Sequence, residues 1–264
     1  MRNVLAAINS DACAEPVLGT AVALARLFDA TAVAFHVRER GIASPEGLAR
    51  AAGVELREVS GAPIEQLVTT AREPDIAAVV LGSRRAPSGP RPAGHTALEV
   101  ITQAAKPVAV VPPHARPPKH FARVLVPLEG TSESSRALDD TIRLAHQRQL
   151  EVLVLHVHSP ATVPAFSDHE PHATQAWDQE FLARHFAAPH ENVRLLRNLG
   201  VPADDVVAVA HETTADLIVL AWSQNLGEGR AQVVSETVAH SSIPVFLLPV
   251  LSSHRGAELS NASK

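Results

Sequence analysis

Short apolar runs alternate along the chain with longer segments in which apolar residues recur every three to four positions. Residues 3–8, 31–37, 77–81 and 108–111 are apolar runs of strand length. Between the first two, residues 15–28 place Val17, Leu18, Ala21, Leu24, Ala25 and Phe28 on one helical face. Residues 45–52 predict a short helix, and 54–59 a weaker, alternating strand. Pro63 marks a helix start, with Ile64, Leu67, Val68 and Ala71 at helical spacing behind it. Residues 96–105 carry Ala97, Val100, Ile101 and Ala104 on one face, predicting a last helix before the closing strand.

The order then starts again. Strands are predicted at 123–128, 151–157, 193–197, 217–221 and 245–248, and helices at 132–147, 175–187, 203–212 and 231–241. The two series match in sequence as well. Val4-Leu5-Ala6-Ala7-Ile8 aligns with Val124-Leu125-Val126-Pro127-Leu128, and Ala34-Phe35-His36-Val37 with Val154-Leu155-His156-Val157. Gly61-Ala62-Pro63 aligns with Gly200-Val201-Pro202, and Ala78 to Gly82 with Leu217 to Ala221. Lys106-Pro107-Val108 to Pro112 aligns with Ile243-Pro244-Val245 to Pro249. Ordered matches of this kind mark an internal repeat. The expected division is 1–112, a proline-rich, extended linker at 113–121, a second unit at 122–251, and a polar tail at 252–264.

Strands alternating with helices predict an α/β fold, each half a parallel sheet covered by helices on both faces. Composition agrees. Aromatic residues are 3% of the chain and Tyr is absent, so the core rests on Val, Leu, Ile and Ala, as buried parallel strands require. Ligands of such sheets sit beyond the carboxyl ends of the strands, where strand order reverses, which directs attention to the loops after the first and fourth strand of each half.

Charge and cysteine narrow the function classes. A net charge of −5 offers no basic face for nucleic acid. A single cysteine, Cys13, excludes a disulfide framework within the chain. No apolar run reaches membrane-spanning length and the N-terminus lacks a signal-peptide core, so the chain reads as cytoplasmic, with no membrane or nucleic-acid partner.

The loops after strands one and four carry a resemblance. Leu125-Val126-Pro127-Leu128-Glu129-Gly130-Thr131-Ser132 resembles the V-x-V-D-G-S-like opening of universal stress proteins. Phe35-His36-Val37 and Leu155-His156-Val157 resemble their second strand, and Gly61-Ala62-Pro63 and Gly200-Val201-Pro202 the start of their third helix. The resemblance spans about residues 3–112 and 122–250, and identifies the chain as similar to a tandem, two-domain member. It implies two Rossmann-like or flavodoxin-like (adenine nucleotide alpha hydrolase-like) domains, each with strand order 3-2-1-4-5. It also implies that the fifth strands, Val108–Val111 and Val245–Leu248, dock the halves into an intramolecular pseudo-dimer, with a homodimer as a further level.

ATP-binding members of that family carry G-x2-G-x9-G-[ST] after strand four and an Asp at the end of strand one. Here the first half offers Gly82, Ser83, Arg84, Arg85, Gly94, His95 and Thr96, with Arg85 at the second glycine position and Gly94 one residue early. Its strand-one residue is Asn9. The second half has Ala221, Trp222 and Gln224 in the loop, and Glu129 before Gly130 and Thr131 at strand one. Side chains at former glycines take the room phosphates need. The resemblance therefore implies a non-catalytic stress-response binding or adaptor protein with the ATP motif degenerate in both halves.

Two alternatives of other classes stay open. One is an ATP or AMP sensor using the modified first-half site, with slow hydrolysis at most. There Arg84, Arg85 and Arg91 read first as a solvated basic loop and alternatively as guanidinium forks for an anion. The other is a metal-responsive module on the 168–190 insertion, where Asp168, His169, Glu170 and His172 have ligand-like spacing, set against a chain that is His-rich throughout. His36 and His156, on predicted buried strands, read as satisfied core or sheet-end histidines. Cys13 reads as incidental, or as a redox sensor at a helix start. Gly227-Glu228-Gly229-Arg230 reads as a flexible loop or a small nest before a helix.

Overall fold

Val4, Leu5 and Ala6 are fully buried on successive positions, so the first apolar run is covered on both faces, as a central parallel strand must be. The computed structural model describes residues 1–9, 11, 13–38, 41–83, 95–116, 119–128, 132–158, 178–184, 186, 192–222 and 228–250. In the first half these give β1 (Asn3–Ala7), α1 (Ala14–Phe28), β2 (Thr31–Arg38), α2 (Glu46–Ala51), β3 (Glu55–Ser60), α3 (Pro63–Ala71), β4 (Ile76–Gly82), α4 (His95–Ala104) and β5 (Val108–Val111). The second half follows with β6 (Arg123–Pro127), α5 (Ser132–Gln147), β7 (Glu151–His158), a helical stretch α6 at 178–184, β8 (Val193–Leu199), α7 (Pro202–Glu212), β9 (Leu217–Trp222), α8 (Glu228–His240) and β10 (Val245–Pro249).

The ten strands form one sheet in the order β3-β2-β1-β4-β5-β10-β9-β6-β7-β8. Read outward from the middle, each half has the same order, the one that the family resemblance implies. All neighbouring strands run parallel except at the centre. There β5 and β10 pair antiparallel, with Val110 opposite Val245, Ala109 opposite Phe246 and Val108 opposite Leu247. Val108 to Val111 are buried throughout, so the seam removes two apolar edges from water.

Alternation along each strand feeds two core layers. Val4 and Ala6 face α1, with Leu18 and Leu24, and that layer runs on through Leu138 and Ile142 of α5 to Phe246 of β10. Leu5 and Val79 face α3 and α4, in a layer that continues through Val206 and Val238 to Leu247. The rings of Phe28 and Phe246 lie 5.9 Å apart and tie α1 of one half to β10 of the other.

The repeat extends to backbone detail. Pro63 and Pro202 each stand in the first turn of a helix, where a missing N–H costs nothing. Asp29 and Gln149 end α1 and α5 in left-handed conformations, at φ 54° and 58°. The next amides, Ala30 and Leu150, donate back to the carbonyls of Ala25 and Ala145, both at 2.8 Å.

Several expectations are corrected. The linker is not simply extended: Ala115 donates to the Pro112 carbonyl in a turn, Ala115 and Phe121 are buried, and Arg26 donates to the Lys119 carbonyl at 2.8 Å. Apolar side chains in the linker explain this, because they reach the α1 core layer. Glu228, Gly229 and Arg230 are already helical, so they form neither a loop nor a nest. Residue 186 lies outside the helix predicted over 175–187. β8 runs to Leu199, two residues beyond prediction, because it pairs with β7 along its whole length. Among the described residues, no helix is long and apolar enough to cross a membrane.

Two ion-pair clusters lie where strands begin. Arg57 meets Glu73 through two bonds of 2.7 Å, which hold the Glu73 carboxyl below the usual carboxylate range and raise Arg57. Arg123 and Arg194 converge on Glu151 at 2.7 and 3.2 Å, and the Arg123 bond is the main reason the Glu151 carboxyl lies low.

Candidate functional site

β1 leads away through α1 to β2, and β4 leads the other way through α4 to β5. Their carboxyl ends therefore part, and a crevice opens between them. At this point the first half holds a cavity of about 200 Å³. Its floor is apolar, built from Val17, Phe35, Val37, Leu67 and Leu81. Its rim is polar: Asn9 and Asp11 from the β1 exit, Cys13 at the start of α1, Ser83 after β4, and Thr96 in the first turn of α4.

Each rim residue has a local cause. Ile8, just past β1, donates its amide to the Phe35 carbonyl at 2.9 Å, and its own carbonyl is bonded to His36 Nδ1 at 3.0 Å. The chain leaves the sheet immediately after, at Asn9. Asp11 then closes an Asx turn: its Oδ1 accepts from the Cys13 amide at 3.0 Å, and its carbonyl accepts from Ala14 at 3.1 Å. This opens α1 and leaves the Asp11 carboxylate on the rim. Ser83 is held by its amide, which donates to the Val111 carbonyl at 2.8 Å.

Of the first-half residues predicted for the site, Asn9, Gly82, Ser83 and Thr96 do line one cavity. The backbone of His95 opens α4, but its side chain lies outside the described residues, as do Arg84, Arg85, Arg91 and Gly94. Glu129, Gly130 and Thr131 also lie outside them, as do Asp168, His169, Glu170, His172 and Gln224. Among the described residues no group of three or more His, Cys, Asp or Glu could hold a metal ion.

Gly82 has a reason of its own. A Cβ placed there would lie 3.0 Å from the Cβ of Cys13 and 3.6 Å from Cγ2 of Val17. The glycine thus lets the start of α1 settle against the end of β4, before any ligand is considered.

Sequence reasoning missed Asp11, Cys13 as a rim residue, and the Phe35–Val37–Leu67 floor. The family pattern places a carboxylate at the strand-one position, where Asn9 stands. Asp11 is two residues farther on, and its signal is a helix-start pattern, Asp-Ala-Cys-Ala-Glu-Pro. The floor was legible from alternation, since Leu5, Phe35, Val37 and Leu81 belong to the same core layer.

The second half differs at the matching place. Trp222 follows Ala221 where Ser83 follows Gly82, and alternation turns it to the same sheet face. Its indole packs on the core layer of α7 and α8, and its Nε1 is buried without a hydrogen-bond partner among the described residues. In the first half that face is occupied by a serine and the cavity.

Chemically, the first-half site joins an apolar slot to one amide, one carboxylate, one thiol and two hydroxyls. Such a slot suits a flat heteroaromatic ring, with hydroxyl-bearing groups at the rim.

The universal stress protein family model matches residues 43–112 and 120–249. A universal stress protein from Archaeoglobus fulgidus superposes with TM-score 0.63 at 15% identity, over 95% of this chain and 97% of that one. A functionally unknown protein from Pseudomonas aeruginosa gives TM-score 0.66 at 12% identity, over 95% and 93%. At these identities the likeness shows the fold. A universal stress protein in complex with cAMP aligns with 50% of this chain and 98% of its own, at 22% identity and TM-score 0.39. No curated protein matches the sequence.

Proposed function

The chain belongs to the universal stress protein family, and we propose that it is a non-catalytic binding protein that takes an adenine nucleotide in its first half and none in its second. The observation that carries this reading is the cavity at the parting of β1 and β4, with its apolar floor and its polar rim of Asn9, Asp11, Ser83 and Thr96. The floor suits a purine ring. The rim carboxylate of Asp11 suits ribose hydroxyls, which are donors. Asp11 thus stands in for the strand-one Asp that the family pattern leads one to seek at Asn9. Arg84 and Arg85, which follow Ser83 in sequence, take the phosphates through guanidinium forks in place of glycine amides. In the second half, Trp222 takes the room that a base would need.

The test is thermal unfolding with and without millimolar ATP, AMP or cAMP. A ligand at about 100 times its dissociation constant adds roughly 2.7 kcal/mol to the native state. At this chain length that is a shift of roughly 5–10 °C. The shift is expected in the native protein and absent in Ser83→Trp. If none of the three nucleotides moves the midpoint, the nucleotide reading falls and the family's adaptor role, acting through protein contacts, takes its place.

A further inference from the structure

The β1 exit carries two rim residues, Asn9 and Asp11, and one side chain pins it from the sheet. His36 is 1% exposed, and its Nδ1 lies 3.0 Å from the carbonyl oxygen of Ile8. A carbonyl only accepts, so Nδ1 is the donor in this bond. The other ring nitrogen, Nε2, is buried with no hydrogen-bond partner among the described residues. A leucine would fill this position without leaving a polar atom unpaired, so the bond to Ile8 is the one interaction that distinguishes histidine here. Together with the Phe35 carbonyl, which accepts from the Ile8 amide at 2.9 Å, it fixes both polar groups of the last residue before the loop.

We propose that His36 is a positioning residue of the first-half cavity: its Nδ1–H holds the Ile8 carbonyl so that Asn9, Asp11 and Cys13 stand at the rim. This rests on the nucleotide reading only for its effect on affinity. Its effect on the rim itself does not need a ligand. The chain carries its own control. His156 makes the same bond to the Leu128 carbonyl, also at 3.0 Å, in the half where Trp222 stands in place of Ser83. His156 also packs on Phe181, with ring centroids 5.1 Å apart, so a purely structural role predicts lost stability from either histidine and no distinction at the cavity. A positioning role predicts that only His36 matters to the cavity.

The experiment compares His36→Leu, His36→Asn and His156→Leu with the native protein by two readouts. The first is the rate at which the single thiol, Cys13, reacts with a small disulfide reagent, which reports the rim without any nucleotide. The second is the dissociation constant for AMP. His36→Leu is expected to speed thiol labelling and to weaken AMP about tenfold, the cost of one displaced hydrogen-bonding contact. His36→Asn, whose amide nitrogen falls near Nδ1, is expected to restore both. His156→Leu is expected to lose stability and change neither. If His36→Leu does not fold, His36→Asn against His36→Gln, which places its nitrogen near Nε2 instead, decides the same point. The proposal is overturned if the labelling rate is unchanged in His36→Leu, if His156→Leu moves it equally, or if His36→Asn fails to restore it. If the native protein binds no AMP, the nucleotide reading fails, and the labelling rates still judge His36.

Discussion

Among the described residues the two halves of this protein share their strand order and many backbone details, and they differ at the carboxyl ends of their first and fourth strands. Strand order, helix-starting prolines, left-handed helix ends at Asp29 and Gln149, and the His36 and His156 bonds are the same in both. At the parting strands, the first half has Gly82 and Ser83 beside a cavity, and the second has Ala221 and Trp222. Features that hold the sheet together recur because each half must satisfy the same hydrogen bonds and cover the same strands. A cavity is under no such demand: Ser83 lines one in the first half, whereas Trp222 packs on a core layer in the second.

The comparison can be broken most severely at the seam that joins its two terms. Val110→Glu puts a charge at a position only 1% exposed, opposite Val245. It is expected to cost about 3–5 kcal/mol, read as a lowered urea midpoint, because no partner awaits the carboxylate. A smaller loss is expected from Trp222→Ser, about 2–3 kcal/mol, since the indole is half-buried and its removal leaves a void. Nucleotide binding in the first half should survive that change, and this separates stability from site.

Smaller still, and in the stabilising direction, are changes at the helix ends. Asp29→Gly and Gln149→Gly relieve left-handed strain at matched positions, and each should add about 0.5–1 kcal/mol. Clearly unequal gains in thermal unfolding would mean that the two helix ends are less alike than their angles. The smallest effect is in acid. Glu73 and Glu151 have folded-state carboxyls held below their ordinary range by Arg57 and Arg123. Their contribution is present above the ordinary glutamate range and fades as pH falls through the lowered folded values. Glu73→Gln and Glu151→Gln should therefore lower stability slightly at neutral pH and flatten the acid limb of the stability curve.

Much of this was legible in the sequence. Strand positions follow from apolar runs, and the strand order from the family resemblance. Pro63 and Pro202 start helices as local chemistry dictates. What the sequence hid depends on contacts between distant segments. Gly82 reads as a phosphate-loop glycine until Cys13 is seen 3.0 Å from where its Cβ would lie. The linker reads as polar and extended because nothing local shows that Ala115 and Phe121 reach the core. Asp11 escaped notice because its backbone duty, starting α1, is also what carries its carboxylate to the rim. A residue doing two jobs is indexed in sequence by only one of them.

The antiparallel meeting of β5 and β10 has a consequence for heredity. Antiparallel pairing at the centre lays the strands of the two halves in the same order outward from the seam, an arrangement that two identical subunits could also make. In such an assembly every mutation appears twice, and a change that closes one site closes both. Fusing the copies in one chain uncouples them. The codon for Ser83 and the codon for Trp222 answer to selection separately, so one copy can drift into pure scaffold while its twin continues to be held to a task.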